Sequence, residues 1–253
     1  MPNDYRDETR KIMLKYMAEL EKKDKKVYLL LANKWNVVLS NLESIIKRLS
    51  ELPAMTPNQL VRMAIYKEFV STVNQQLLIY SQYSAKIIKE GQLEFALLGL
   101  DSVNKNLSLF NVNFQKLPIE AVKDMIGRTA EGTPLEKVLI KRYADNFEQV
   151  KDVLIQNISL GINPIPTARL MNELLNGDLY ISTRIARTEM INAFRESSRD
   201  GYIASGMVKG LNLNAEPDAC TVCLAVEENN PYPLDYTFPE LHPNCRCSFS
   251  PVL

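Results

Sequence analysis

Every cysteine in this 253-residue chain, and its single histidine, falls between positions 220 and 247. In order they read Cys220-x2-Cys223-x18-His242-x2-Cys245-x-Cys247. Two soft ligands two residues apart can both point into one turn and hold a Zn–S distance of about 2.3 Å without backbone strain. His242 and Cys245 repeat that step. Pro243 fixes its own φ and biases His242 toward extended backbone, which stiffens the second knuckle. Between the halves, Asn229-Asn230-Pro231-Tyr232-Pro233 supplies turn residues that can bring the chain back to the first knuckle.

Five candidates compete for four tetrahedral positions. Cys220, Cys223, His242 and Cys245 form two matching knuckles, so they are the favoured set. Cys247 is a substitute for His242 or Cys245, because alternate residues of a strand share a face. Disulfides in an oxidised extracellular particle, or unrelated free thiols, are the competing arrangements. With four protein ligands to hand, the zinc site is expected to be closed and structural, a staple for a small C-terminal lobe with little core of its own. Catalytic zinc patterns do not fit. A zinc deaminase wants His-x-Glu ahead of its cysteine pair, whereas His242 follows the pair and Asn244 stands where the Glu would be. A metalloprotease helix needs two histidines.

Charge also argues against a nucleic-acid-reading finger. From Leu211 to Leu253 the only basic residue is Arg246, against Glu216, Asp218, Glu227, Glu228, Asp235 and Glu240. Over the whole chain 30 Lys and Arg balance 30 Asp and Glu. Residues 1–52, with their Lys-rich arm, are only slightly basic, a weak basis for DNA binding. With 46% hydrophobic residues and 9 glycines, the composition favours a folded, mainly helical protein over turn-rich all-β folds or Gly-rich phosphate loops. No apolar run approaches the ~18 residues that span a bilayer. The charged start, Met1 to Glu8, does not resemble a secretory leader, so a soluble chain made in a reducing cytosol is expected.

Periodicity fills in the helices. Tyr28, Leu31, Trp35, Val38, Leu42, Ile45, Leu49 and Leu52 recur in steps of three and four, and Pro53 ends the run. Either an intramolecular bundle helix or an intermolecular coiled coil satisfies this seam. Lys22 to Lys26 is expected to break the arm that precedes it. Thr56-Pro57-Asn58-Gln59 reads as a cap opening a second long helix through Tyr66, Phe69, Val73, Tyr80 and Ile87, stopping near Gly91. Shorter helices are expected over 92–130. Thr133-Pro134-Leu135-Glu136 caps a third long helix with Leu135, Val138, Leu139, Tyr143, Phe147, Val150 and Leu154 on one face. Residues 161–167 are the candidate linker. A short helix over about 167–176, a turn at Asn176-Gly177-Asp178 and a helix from Thr183 to Ser205 follow. Ile185, Met190 and Phe194 suit a core, while Arg187, Glu189, Asn192 and Arg195 point elsewhere. These four are either solvated or paired helix polar groups or a functional set, with Arg187, Glu189 and Asn192 foremost, forming an interface or a network holding the metal lobe. The expected architecture is mainly α: a long-helix bundle over 1–160, then a small α+β lobe over 161–253 stapled by a zinc knuckle.

Several of these elements together carry a resemblance. Ile185-Ala186-Arg187-Thr188-Glu189, the following Asn192-Ala193, an Asp just before Cys-x-x-Cys, and the closing His242-Pro243-Asn244-Cys245-Arg246-Cys247 resemble the C-terminal domain of the phage Mu F-like head morphogenesis (minor head) proteins. The likeness covers roughly residues 140–250. It departs where that family often has a Trp before the Asp-x-x-Cys element, since Leu211-Asn212-Leu213 stand there. The resemblance implies a low-copy, non-enzymatic virion component inside the head near the portal, made in the host cytoplasm and acting in assembly or genome packaging and release. Its implied partners are portal or major capsid protein, with weak, non-specific contact to packaged DNA and no membrane. The alternative is a zinc-dependent nuclease or a toxin-like transferase using Arg187 and Glu189.

Overall fold

Three helices of more than forty residues dominate the chain, and each is longer than its local sequence signals predict. The structure, a computed structural model, describes residues 3–112, 114, 117–162, 164–236 and 243–253. Its elements are α1 (Asn3–Ser50), α2 (Pro57–Leu60), α3 (Ala64–Ser108), a 3-10 helix (Ile119–Met125), α4 (Leu135–Ser159), α5 (Pro164–Ser205), β1 (Gly210–Asn214), α6 (Thr221–Glu228), β2 (Tyr232–Pro233) and β3 (Ser248–Val252). The fold is mainly helical with a small C-terminal sheet, as the composition and periodicity predict.

Where helices outrun the sequence reading, side-chain partners explain why. The Lys22–Lys26 stretch does not break α1. Lys25 pairs with Glu21 at 3.3 Å and Lys23 with Glu94 at 3.4 Å, while Asp24 is buried and takes the Arg187 guanidinium. Gly91 does not stop α3 either. A Cβ there would lie 2.5 Å from Met190 Sδ, so the glycine admits close approach of α5 rather than ending a helix. Gly99 shows the same logic more strictly, with the Phe194 carbonyl oxygen 2.4 Å from where its Cβ would stand. Instead of shorter helices over 92–130, α3 runs on to Ser108, and among the described residues up to 130 the 3-10 helix alone follows. The expected turn at Asn176-Gly177-Asp178 is continuous α5, because both flanking polar side chains find buried partners. Trp35 Nε1 donates to Asn176 Oδ1 at 3.3 Å, and Asn146 Nδ2 donates to Asp178 Oδ1 at 3.1 Å. The candidate linker shrinks accordingly, since α5 already begins at Pro164.

The caps divide. Thr56 and Gln59 form a full capping box, but it opens only the single turn of α2, and the long helix begins at Ala64. At α4 the N-cap is Pro134, one position after the expected Thr133, and it makes no side-chain cap bond. The predicted α4 face holds: Leu135, Leu139, Tyr143, Phe147, Val150 and Leu154 are buried, and Val138 is half-buried. In the α1 seam Leu31 through Leu49 are buried, Leu52 is half-buried and Tyr28 is exposed.

The chain divides into two compact units that interleave along the sequence. One comprises Tyr28–Ile87 and Thr133–Thr183. Its core is aromatic: Trp35 against Tyr80 with centroids 4.7 Å apart, Tyr80 against Tyr143 at 5.5 Å, and Phe69 against Phe147 at 5.9 Å. The other comprises Met1–Val27, Ile88–Gly132 and Arg184–Leu253, whereas the sequence suggested a single linear boundary at 160/161. It carries the sheet, ordered β2-β1-β3 and antiparallel throughout, with Leu211 opposite Pro251 and Leu213 opposite Phe249. The Asn229–Pro233 segment does return the chain. The Asn230 amide accepts from Leu213 N and donates to Leu213 O, both at 2.8 Å, extending the β1 edge pairing before β2 joins it.

Candidate metal centre

Two short local structures bring the sulfurs together. Cys220 is the N-cap of α6, and its Sγ accepts the Cys223 N–H at 3.5 Å. This leaves Cys223 in the first helical turn, fully buried. On the other side, Asn244 takes a left-handed conformation (φ 68°) that Asn tolerates better than most residues. The chain then runs extended into β3, so Cys245 and Cys247 face inward together. Arg246 between them turns out to Asp218, with Nη2 at 2.7 and 2.5 Å from its carboxylate oxygens.

The Sγ atoms of Cys223, Cys245 and Cys247 all lie within 4.8 Å of one another, and all three residues are buried. Cys223 and Cys245 are 3.5 Å apart sulfur to sulfur. Ligands of a tetrahedral zinc–thiolate centre stand about 3.8 Å apart for Zn–S bonds near 2.3 Å. None of the four cysteines forms a disulfide. These three residues could therefore hold a metal ion. Of the set favoured from sequence, Cys223 and Cys245 belong to the triad and Cys220 stands at its edge. Cys247, the substitute ligand, completes it. His242 lies outside the described residues.

The electrostatics of the triad are asymmetric. Hydrogen bonding with Cys247 and the charge of Arg195 outweigh burial and pull Cys245 down to about 4. Burial and the hydrogen bond with Cys245 push Cys223 up to about 12. The bond to Cys245 and burial push Cys247 up further still. A metal ion bound by the three sulfurs would displace their protons.

Helix α5 holds this ribbon by two polar side chains seven residues apart on one face. Thr188 Oγ1 accepts the Asn244 N–H at 3.2 Å. Arg195, only 4% exposed, donates from Nε to the Cys247 carbonyl at 2.8 Å and from Nη2 to the Cys245 carbonyl at 3.0 Å and its Sγ at 3.1 Å. Sequence reasoning grouped Arg195 with Arg187, Glu189 and Asn192 as polar groups able to hold the metal lobe, and Arg195 does bind the cysteine ribbon. Which residues it binds had no local signal, because its partners are 50 and 52 residues distant.

Of the expected trio, Glu189 and Asn192 stay together and Arg187 stands apart. Arg187 Nε donates to Asp24 Oδ2 at 2.7 Å. Glu189 accepts the Ala130 N–H at 2.9 Å, and Asn192 Oδ1 accepts from Arg195 Nη1 at 3.4 Å. Glu189 and Asn192 line a cleft of about 730 Å³ together with Arg128, Glu196, Arg199 and Asp200, and Arg187 does not. Burial raises Glu189 to about 7 despite the Ala130 hydrogen bond. Arg199 is turned onto the Leu234 carbonyl at 2.8 Å, and Arg128 onto that of Gly132 at 2.9 Å.

No protein-family model, curated protein or solved structure matches the chain. None of its described helices is long and apolar enough to cross a membrane.

Proposed function

We propose that this chain is a non-enzymatic phage minor head protein of the Mu F-like kind. It acts inside the capsid near the portal in head assembly and in genome packaging or release. Its C-terminal lobe is stapled by a structural zinc ion. The observation that carries this reading is the contact between the two motifs that resemble that family. The Ala186-Arg187-Thr188-Glu189 turn of α5 receives the Asn244 backbone through Thr188, and two turns on Arg195 receives Cys245 and Cys247. Two motifs far apart in sequence thus serve one construction, a helix clamping a sulfur-rich ribbon. The ligands supporting zinc are Cys223, Cys245 and Cys247, with Cys220 or His242 in the fourth position. Portal or major capsid protein are the partners, with packaged DNA a weak, non-specific contact. Mass spectrometry and zinc analysis of purified particles, beside a deletion mutant, test the reading. Detection in few copies with bound zinc, and loss of filled heads on deletion, is the expected result. Absence from particles with head assembly unaffected overturns it.

The cleft at Glu189 favours one competing reading, a transferase or hydrolase with Glu189 as general acid or base. Commitment of Arg187 to Asp24 weighs against the Arg187–Glu189 pair acting together. Turnover of a nucleotide or nucleic-acid substrate by the metal-loaded protein, abolished in Glu189→Gln, would establish that alternative.

A further inference from the structure

Arg195 is the one basic side chain in the fully buried class among the described residues. Removing a guanidinium from water costs several kcal/mol unless an anion lies against it. No carboxylate is hydrogen-bonded to Arg195 among the described residues. Its partners are the carbonyls of Cys245 and Cys247, the Asn192 amide oxygen and the Cys245 sulfur. Glu196 feels its charge, less than that of Arg199, and is not among its hydrogen-bond partners. Three neutral acceptors take three of its five N–H donors without supplying negative charge. Among the described residues that accept a hydrogen bond from Arg195, the Cys245 sulfur is the one that can supply it.

We propose that Arg195 is the built-in counter-charge of a thiolate-rich, net-anionic centre for a soft divalent ion of the zinc type, acting as a positioning residue through Cys245. Three thiolates around a divalent ion carry one net negative charge, which one guanidinium balances. A fourth thiolate would leave one charge over, and a neutral imidazole would leave none. Thiolate donors select zinc-like ions over magnesium or calcium. The planar fork explains the choice of arginine: it reaches two carbonyls and a sulfur at once, which an ammonium on a flexible stem does not reproduce. Neighbouring cations do not share the task, since Arg246 is paired with Asp218 and Arg187 with Asp24.

The inference rests on the cysteine triad being a metal site, and the test separates the two. Full-length wild type, Arg195→Lys and Arg195→Gln are compared for Zn2+ affinity in chelator competition and for the thiolate charge-transfer band of the Co2+ form. Helical circular dichroism of each is followed alongside. Outer-shell partners of metal ligands typically contribute about 10- to 100-fold in affinity. Arg195→Gln, which keeps hydrogen bonding but removes charge, is expected to lose affinity in that range. Arg195→Lys, which keeps charge but not the fork, is expected to fall between it and wild type. Equal affinity in wild type and Arg195→Gln, or a glutamine variant that binds as well as the lysine variant, overturns the counter-charge role. The same holds if both variants lose helical signal in equal measure, since a charge-specific role ranks them. A wild-type chain that takes up neither Zn2+ nor Co2+ refutes the metal centre itself.

Discussion

The unit formed by Tyr28–Ile87 and Thr133–Thr183 and the lobe over residues 206–253 solve the same problem by opposite means. The helical unit buries large side chains along three-and-four spaced faces, and Trp35, Tyr80, Tyr143 and Phe147 fill it around a few buried polar groups, among them Ser182 on Tyr80 and Asp178 on Asn146. The lobe has two five-residue strands, a two-residue strand and an eight-residue helix. Its own Val208, Leu211, Leu213, Ala215, Val226 and Phe249 share a core cluster with Val103, Leu107 and Tyr202 of the long helices, and three cysteines belong to that cluster. Small lobes of this kind need a staple, because their buried area offsets chain entropy only narrowly. The difference implies that the two regions respond to different perturbations.

The largest effect is expected from the staple. Chelation, or Cys223→Ser, should open residues 206–253 to proteolysis while most helical circular dichroism persists, since structural zinc contributes on the order of 10 kcal/mol to small domains that depend on it. Unchanged protease resistance after verified metal removal would erase the contrast between the regions. Next comes Trp35→Ala. It leaves a cavity beside Tyr80 and orphans Asn176, and should destabilise the helical unit by about 3–5 kcal/mol. Zinc bound per chain should stay at the wild-type value, and a parallel fall in metal content would show that the two regions are not independent.

The smallest effect concerns the one charged group the helical unit does bury. Burial lifts Asp178 from 3.8 to about 8, partly offset by the Asn146 hydrogen bond. Between those values the unfolded chain has released a proton that the folded chain keeps. Stability is therefore greatest at acid pH, below the unfolded value, and falls as pH rises toward the folded one. Tyr80 and Tyr143 face the same space, but burial holds both protonated throughout this range. Asp178→Asn should flatten the slope and stabilise the unit by about 1–3 kcal/mol at pH 8, read from urea midpoints at two pH values. A slope that survives the substitution assigns the dependence elsewhere.

What the sequence made legible follows from the range of the physics involved. Helix faces repeat locally, so the burial of Leu31 through Leu49 and of Leu135 through Leu154 could be read directly. The cysteine cluster was legible because its members are rare and crowded. Helix boundaries were not, because distant side chains decided them. Asp24 is held within α1 by Arg187, and Asn176 and Asp178 within α5 by Trp35 and Asn146. Gly91 looked like punctuation and is instead a contact surface, which only the position of Met190 reveals. Arg195 could be grouped with the polar residues of its helix, but its partners could not be read, for the same reason. Its role exists only once a ribbon 50 residues downstream is laid across it.

The interleaving of the two units has a practical corollary for dissecting the molecule. A fragment cut at residue 161 would keep Arg187 but lose Asp24, keep Glu189 but lose the Ala130 amide, and keep Phe194 but lose Gly99 beneath it. Such a truncation would leave stranded charges and an uncovered seam on the very helix that grips the cysteines. A working minimal version must instead splice Met1–Val27 and Ile88–Gly132 to Arg184–Leu253.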